Sequence, residues 1–284
     1  MKFKKYFYDN QEVLIESLSI KDWSSVSGKS KELKNGVEIL KQIEKKGYKA
    51  YIVGGSVRDL LLNKPADDVD IATDMPANEI EELFDTHDIG KNKQFGVVVV
   101  NYKGGEYEIA NFRMDQYSGD TSGKGADTIK IAKDFKSDAA RRDLTINSLG
   151  VDSKGKISDH FSGTKDLENK IIKAVGDPNV RFSEDFIRLL RTIRFSNRFD
   201  FKIDPETKKA LQKNAHNIKK VSPERIAKEL LKMAKEDGTK FANAILLMDE
   251  VGLLKHILPE VSNMKNFKHD PKHHPEGAYV RRIL

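Results

Sequence analysis

The chain has 284 residues, enough for one large or two ordinary domains, and its 38% hydrophobic and 33% charged residues describe a globular protein with much polar surface. It contains no cysteine, which excludes disulfides and thiolate metal sites and fits a reducing cytoplasm. No stretch approaches the length of a membrane span, and the basic start Met1–Tyr8 lacks the apolar segment of a secretory signal. The net charge of +6 arises wholly from Lys202 onward. A polyanionic partner would suit such a surface, and a solvated lysine-rich helical face accounts for it as well.

Residues 1–30 show weak periodicity and read as an N-terminal extension, peripheral or poorly ordered. From Lys31 to Lys46 the spacing of Leu33, Val37, Leu40 and Ile43 predicts a helix that Gly47 ends. The segment 51–74 then organises the chain. An apolar run, Tyr51 to Val53, breaks at Gly54-Gly55 and an amphipathic stretch opens at Ser56, which predicts strand, tight turn, helix. Glycines allow close approach of a ligand, the first N–H groups of a helix favour an anion, and Arg58 can add a guanidinium fork. Asp68-Val69-Asp70 leads into the next apolar segment, and strand alternation places both carboxylates on one face. Two carboxylates beside a phosphate cradle form a divalent-metal clamp; taken singly, Ser56 with Asp59 is a capping box and Asp-x-Asp a turn.

Pro76 starts a helix carrying Ile80, Leu83 and Phe84. Phe95–Tyr102 and Glu106–Phe112 are strands joined by a hairpin turn at Lys103-Gly104-Gly105. Glu108 is either a third carboxylate for the metals or a solvent-facing strand residue. Residues 113–128 have little apolar content and read as a long functional loop. Arg141-Arg142-Asp143 is a salt-bridged helix end or a ligand site, with guanidinium for anionic oxygens and carboxylate for sugar hydroxyls.

Beyond Asp177-Pro178 the pattern is helical. One helix, Val180–Phe199, has Phe182, Phe186, Leu189, Leu190 and Ile193 on its apolar stripe, with Glu184, Arg188, Arg191 and Arg198 opposite and Asp185 and Arg194 flanking. It is a helix with internal ion pairs or a set of donors and acceptors able to read a base edge. Further helices are predicted near Asp204–His216, Ser222–Lys235 and Lys240–Val251, and the His-rich segment 269–277 reads as a polar linker.

Gly-Gly-Ser-Val-Arg-Asp at 54–59, Asp-Val-Asp at 68–70, Arg-Arg-Asp-Leu-Thr-Ile-Asn-Ser at 141–148, Arg-Phe-Ser-Glu-Asp-Phe-Ile-Arg-Leu-Leu-Arg-Thr-Ile-Arg-Phe at 181–195 and Ser-Pro-Glu-Arg-Ile at 222–226 follow in order. Together they resemble the bacterial class II tRNA nucleotidyltransferase and poly(A) polymerase family. The resemblance implies an α+β fold: a nucleotidyltransferase head of the DNA polymerase beta superfamily, with a mixed sheet and helices, then an all-helical neck. The expected divisions are 1–30 extension, 31–176 head, 177–260 neck with RNA binding, and 261–284 a linker toward an absent HD-type domain. It further implies that Asp68 and Asp70 are the catalytic carboxylates and hold Mg2+, and that Gly55 and Arg58 contact the triphosphate. Arg142 would bind nucleotide and Asp143 its ribose, while Asp185, Arg188, Arg191 and Arg194 form the neck's nucleotide site. The implied activity is untemplated transfer of CMP and AMP from CTP and ATP to the 3′ end of tRNA. A poly(A) polymerase or A-adding enzyme shares these motifs, and a non-catalytic nucleotide- or RNA-binding module is the alternative of another class. The chain departs from the family at Leu144 and Ser148, and at Ser122–Ala126, where arginine and proline are usual.

Overall fold

The computed structural model describes residues 4–8, 11–16, 19–28, 30–66, 68–87, 96–117, 128–236 and 238–264. The chain divides into two compact units, the first made of Met1–Gln116 with Thr128–Glu168 and the second built from Asn169 onward.

The first unit opens with an antiparallel meander of β1 (Lys4–Tyr8), β2 (Gln11–Glu16) and β3 (Ser19–Ile20), followed by the short helix α1 (Trp23–Ser27). Ile20, Trp23 and Val26 are buried, and the Trp23 indole donates to the Ser153 carbonyl at 2.9 Å. The end of the segment expected to be a peripheral or poorly ordered extension thus packs into the first unit. A two-residue strand and a one-turn helix are too short to carry a periodic signal.

Helix α2 (Lys31–Lys45) is capped by the Ser30 hydroxyl, which accepts from the Leu33 N–H at 3.0 Å, and it buries Leu33, Val37, Leu40 and Ile43 as the spacing predicts. It approaches the sheet at Gly36, where a Cβ would stand 2.8 Å from Val69 Cγ1. Val69 thus points at α2, so alternation turns Asp68 and Asp70 the other way.

After α2 come β4 (Ala50–Val53), α3 (Gly55–Leu61), β5 (Ile71–Thr73), α4 (Ala77–Leu83), β6 (Asp85–His87), β7 (Val97–Tyr102) and β8 (Gly105–Asn111). Then follow β9 (Arg113–Gln116), β10 (Thr128–Ile131), α5 (Phe135–Ala140), β11 (Gly150–Val151), β12 (Ile157–Ser158) and α6 (Gly163–Glu168). Seven strands form one mixed sheet in the order β12-β11-β4-β5-β8-β7-β6, with β5 and β8 parallel and the other neighbours antiparallel. The β7–β8 turn is the predicted hairpin, with φ of 50° at Lys103 and 74° at Gly104. Val53, Ala72, Phe112, Ala132, Phe135 and Ala139 pack together as a core, with Tyr51 and Phe161 against them. Segment 113–128 is not loop throughout: β9 and β10 pair antiparallel from Arg113↔Ile131 to Gln116↔Thr128. The polar side chains that alternate there hid the ladder, and Ser122–Ala126 lies outside the described residues.

The second unit contains β13 (Ile171–Ile172), α7 (Pro178–Glu184), α8 (Ile187–Phe199), β14 (Lys202–Ile203), α9 (Pro205–Asn214), α10 (Pro223–Ala234), α11 (Gly238–Glu250), α12 (Leu254–Ile257) and α13 (Pro259–Asn263). Its core gathers Phe182, Leu189, Leu190, Ile193, Leu211, Ile218, Met248 and Leu253. Two corrections arise here. Its described residues are helical apart from a short parallel pair, β13 with β14, so the neck expected to be all-helical carries the strand Lys202–Ile203. The single helix expected over Val180–Phe199 is two, because Asp185 takes an extended conformation, φ −155° and ψ 108°. Its carboxylate accepts from the Ile187 N–H at 3.2 Å and from Arg225 of α10 at 2.6 Å, which offsets the helical bonds lost at the break. The His-rich segment 269–277 lies outside the described residues.

Candidate active site

β4 delivers the chain to Gly54, whose φ of 69° suits glycine, and α3 begins at Gly55. The strand, turn and helix expected from the sequence are all present. Close approach is required as well, since a Cβ on Gly54 would lie 2.9 Å from Arg142 Nη1. Ser56 does not form the capping box; its hydroxyl donates to the Asp68 carbonyl at 2.5 Å, tying the start of α3 to the carboxylate segment.

Asp68 is exposed, Val69 buried and Asp70 half-buried, the alternation expected, although the three residues precede β5. β5 and β8 run parallel with Ile71 opposite Ile109, so one step back in register brings Asp70 level with Glu108. The Asp70 carboxyl is pushed up to about 6, first by burial and then by the charges of Asp68 and Glu108, with Arg142 pulling it down. Glu108 is exposed on β8, as the solvent-facing reading has it, and its charge still acts on Asp70.

Arg142 is held in advance. Its Nε and Nη2 donate to Asp138 Oδ2 at 3.2 and 3.0 Å, and its Nη1 donates to the Asn147 carbonyl at 3.3 Å. Asp138, 1% exposed, also takes Arg141 on its other oxygen at 2.9 Å. Burial would raise its carboxyl, but Arg142 and Arg141 outweigh burial and hold it below the usual carboxylate range. Asp138 is a supporting residue that sequence reading missed. Its i+3 and i+4 relation to the two arginines was the available signal.

Arg58 lies at the same turn, where a Cβ on Gly55 would stand 3.4 Å from its Nη2. Only 4% exposed, it grips Asp59 through Nε and Nη2 at 2.9 Å each and donates from Nη1 to Asn147 Oδ1 at 2.5 Å. These bonds hold the guanidinium in place beside the Gly54-Gly55 turn. Asp143 lies in the same network, its Oδ1 accepting from the Leu144 N–H at 2.8 Å and from Asn147 at 3.1 Å.

In the second unit, Asp185 occupies the break between α7 and α8. Arg188 donates to Glu184 at 2.5 Å and to the Arg181 carbonyl at 2.9 Å, so the internal ion pair read from the sequence is formed. Arg191 lies 5.5 Å from the centre of the Phe195 ring. Arg194 is buried, donates to Glu229 of α10 at 2.6 Å and stacks 4.2 Å from the Phe195 ring centre.

Among the described residues, no three His, Cys, Asp or Glu side chains are gathered tightly enough to hold a metal ion alone. The oxygen donors present suit a hard divalent cation that takes one or two carboxylates and completes its shell with substrate phosphates and water. A cation there would also relieve the repulsion that raises Asp70. That raised carboxyl makes a test possible without metal. Between the unfolded value of about 4 and the folded value of about 6, the folded chain holds a proton that the unfolded chain has released. This group therefore lowers stability as pH rises through the window. Asp70→Asn in EDTA is expected to raise Tm relative to the unsubstituted chain at pH 7.5, with roughly half that gain at pH 5, the middle of the window; equal gains at both would contradict it.

A family model described as the poly A polymerase head domain matches residues 50–173, and one described as a probable RNA and SrmB-binding site of polymerase A matches 200–265. The CCA-adding enzyme of Ligilactobacillus salivarius is 44% identical over 202 residues, covering 71% of this chain and 49% of that enzyme. The chain belongs to the tRNA nucleotidyltransferase and poly(A) polymerase family. Two solved structures of the family agree. The CCA-adding enzyme of Bacillus stearothermophilus in complex with CTP superposes with a TM-score of 0.71 at 32% identity, covering 83% of this chain and 56% of that one. The Thermotoga maritima CCA-adding enzyme complexed with tRNA gives 0.69 at 26% identity, with 84% and 56% covered. The chain spans about half the length of the curated relatives it matches. Its first unit is a nucleotidyltransferase head and its second the helical region that follows.

Proposed function

We propose that the chain transfers CMP and AMP from CTP and ATP, without a nucleic acid template, to the 3′ end of tRNA and releases pyrophosphate. The observation that carries the reading is the pair Asp68 and Asp70 beside a glycine turn over which Asp138 holds Arg142. In the reaction the acceptor 3′ oxygen bonds to the α-phosphorus as the bond to pyrophosphate breaks. Asp68 and Asp70 would hold Mg2+, which when bound activates the attacking hydroxyl and neutralises charge on the triphosphate. The Gly55 N–H and Arg142 would face the triphosphate oxygens, and Asp143 the ribose. At seven residues, α3 carries a small dipole, so the Arg142 guanidinium supplies most of the positive charge.

In the neck, Asp185 and Arg188 are our base-reading pair, one an acceptor held by Arg225 and the other a donor steadied by Glu184. Arg191 extends that surface. Arg194, sequestered with Glu229, braces α8 from behind. Among the described residues no helix is long and apolar enough to cross a membrane. Chemistry on tRNA and the cysteine-free composition suit the cytoplasm.

The test is incorporation of labelled CTP and ATP on tRNA ending at the discriminator base, at C and at CC, alongside an unstructured RNA. Ordered addition of C, C and A to tRNA supports the proposal. An ATP-only ladder on any RNA would assign a poly(A) polymerase, and Mg2+-dependent nucleotide binding without turnover would assign a binding module.

A further inference from the structure

Arg58, Asn147 and Asp143 form a directional chain. A guanidinium only donates, so Arg58 Nη1 requires the oxygen end of the Asn147 amide, which it meets at 2.5 Å. The amide nitrogen must then point the other way, where it donates to Asp143 Oδ1 at 3.1 Å. The same oxygen accepts from the Leu144 N–H at 2.8 Å, and two donors on one oxygen fix the plane of the carboxylate. The fork of Asp59 fixes Arg58 in turn, and the 3₁₀ turn Thr145–Asn147 folds Asn147 back onto Asp143. Arg58, Asn147 and Asp143 are 4%, 6% and 8% exposed, so water does not readily replace these bonds.

We infer that Arg58 and Asn147 are positioning residues that orient Asp143 and thereby set a preference for ribose over deoxyribose in the bound nucleotide. The inference rests on the proposed role of Asp143 toward the sugar. Asn147→Asp keeps the shape and the acceptor facing Arg58, but replaces the donor to Asp143 with a like charge. Arg58→Ala removes the group that dictates the amide's direction.

The experiment is equilibrium binding of CTP and dCTP with Mg2+ to the unsubstituted chain, Asn147→Asp, Arg58→Ala, Arg58→Lys and Asp143→Asn. Circular dichroism of each variant confirms the fold. The ratio of the two dissociation constants is the readout, because loss of structure or phosphate binding weakens both ligands alike. Asn147→Asp and Arg58→Ala are expected to reduce the preference for CTP roughly tenfold, the cost of one misdirected buried hydrogen bond. Arg58→Lys, which still donates, is expected to keep most of it. If Asp143→Asn abolishes the preference while Asn147→Asp and Arg58→Ala retain it, the inference is overturned and the ribose role stands. If Asp143→Asn itself leaves the ratio unchanged, or the unsubstituted chain shows no preference, the ribose role falls and the inference with it.

Discussion

Asp68→Ala and Asp70→Ala are each expected to reduce nucleotide transfer roughly 10³-fold or more, since the charge stabilisation their metal supplies is worth about 4 kcal/mol in the transition state. Folding is expected to survive, because neither side chain belongs to the buried core and their mutual repulsion costs stability. Transfer rates under single-turnover conditions, with thermal unfolding of the same samples, separate the two effects. Activity within tenfold of the unsubstituted chain in either variant would remove the carboxylates from the chemistry.

Glu229→Ala is expected to be the most damaging single change in the second unit. The Glu229 and Arg194 side chains are 7% and 9% exposed and meet at 2.6 Å. Truncating the acid takes a charge-assisted hydrogen bond from a buried guanidinium, at a cost of about 1.5 to 3 kcal/mol. Replacing both partners by Leu and Met is expected to recover most of that, since the pair's attraction is largely cancelled by its desolvation. A loss below ~1 kcal/mol in urea unfolding of Glu229→Ala would show that Arg194 finds water or another acceptor without cost.

Much of the head was legible because its signals are local. The apolar run ending at Gly54-Gly55, the Asp68-Val69-Asp70 alternation and the Lys103-Gly104 hairpin each depend on neighbours within a few residues. Features made by distant residues were not legible. Gly36 meeting Val69, Arg58 reaching Asn147 and Arg194 reaching Glu229 join positions far apart in the chain, and no periodicity records such pairs. The break at Asp185 was hidden for another reason. Its flanking residues keep a helical apolar stripe, while the residue that ends the helix is stabilised by Arg225 on another element. Arg58 combines both kinds of signal: its neighbourhood in sequence suggests a phosphate ligand, and its bond to Asn147, which no local pattern records, holds it beside the turn.

The most direct test of the central claim is a single-turnover reaction of this chain in excess over tRNA ending at the discriminator base, with labelled CTP and either Mg2+ or EDTA. The account expects labelled CMP joined to the tRNA 3′ end with Mg2+, pyrophosphate released in equal amount, and no transfer in EDTA. Bound CTP with no transfer in Mg2+, or transfer that persists in EDTA, would contradict it.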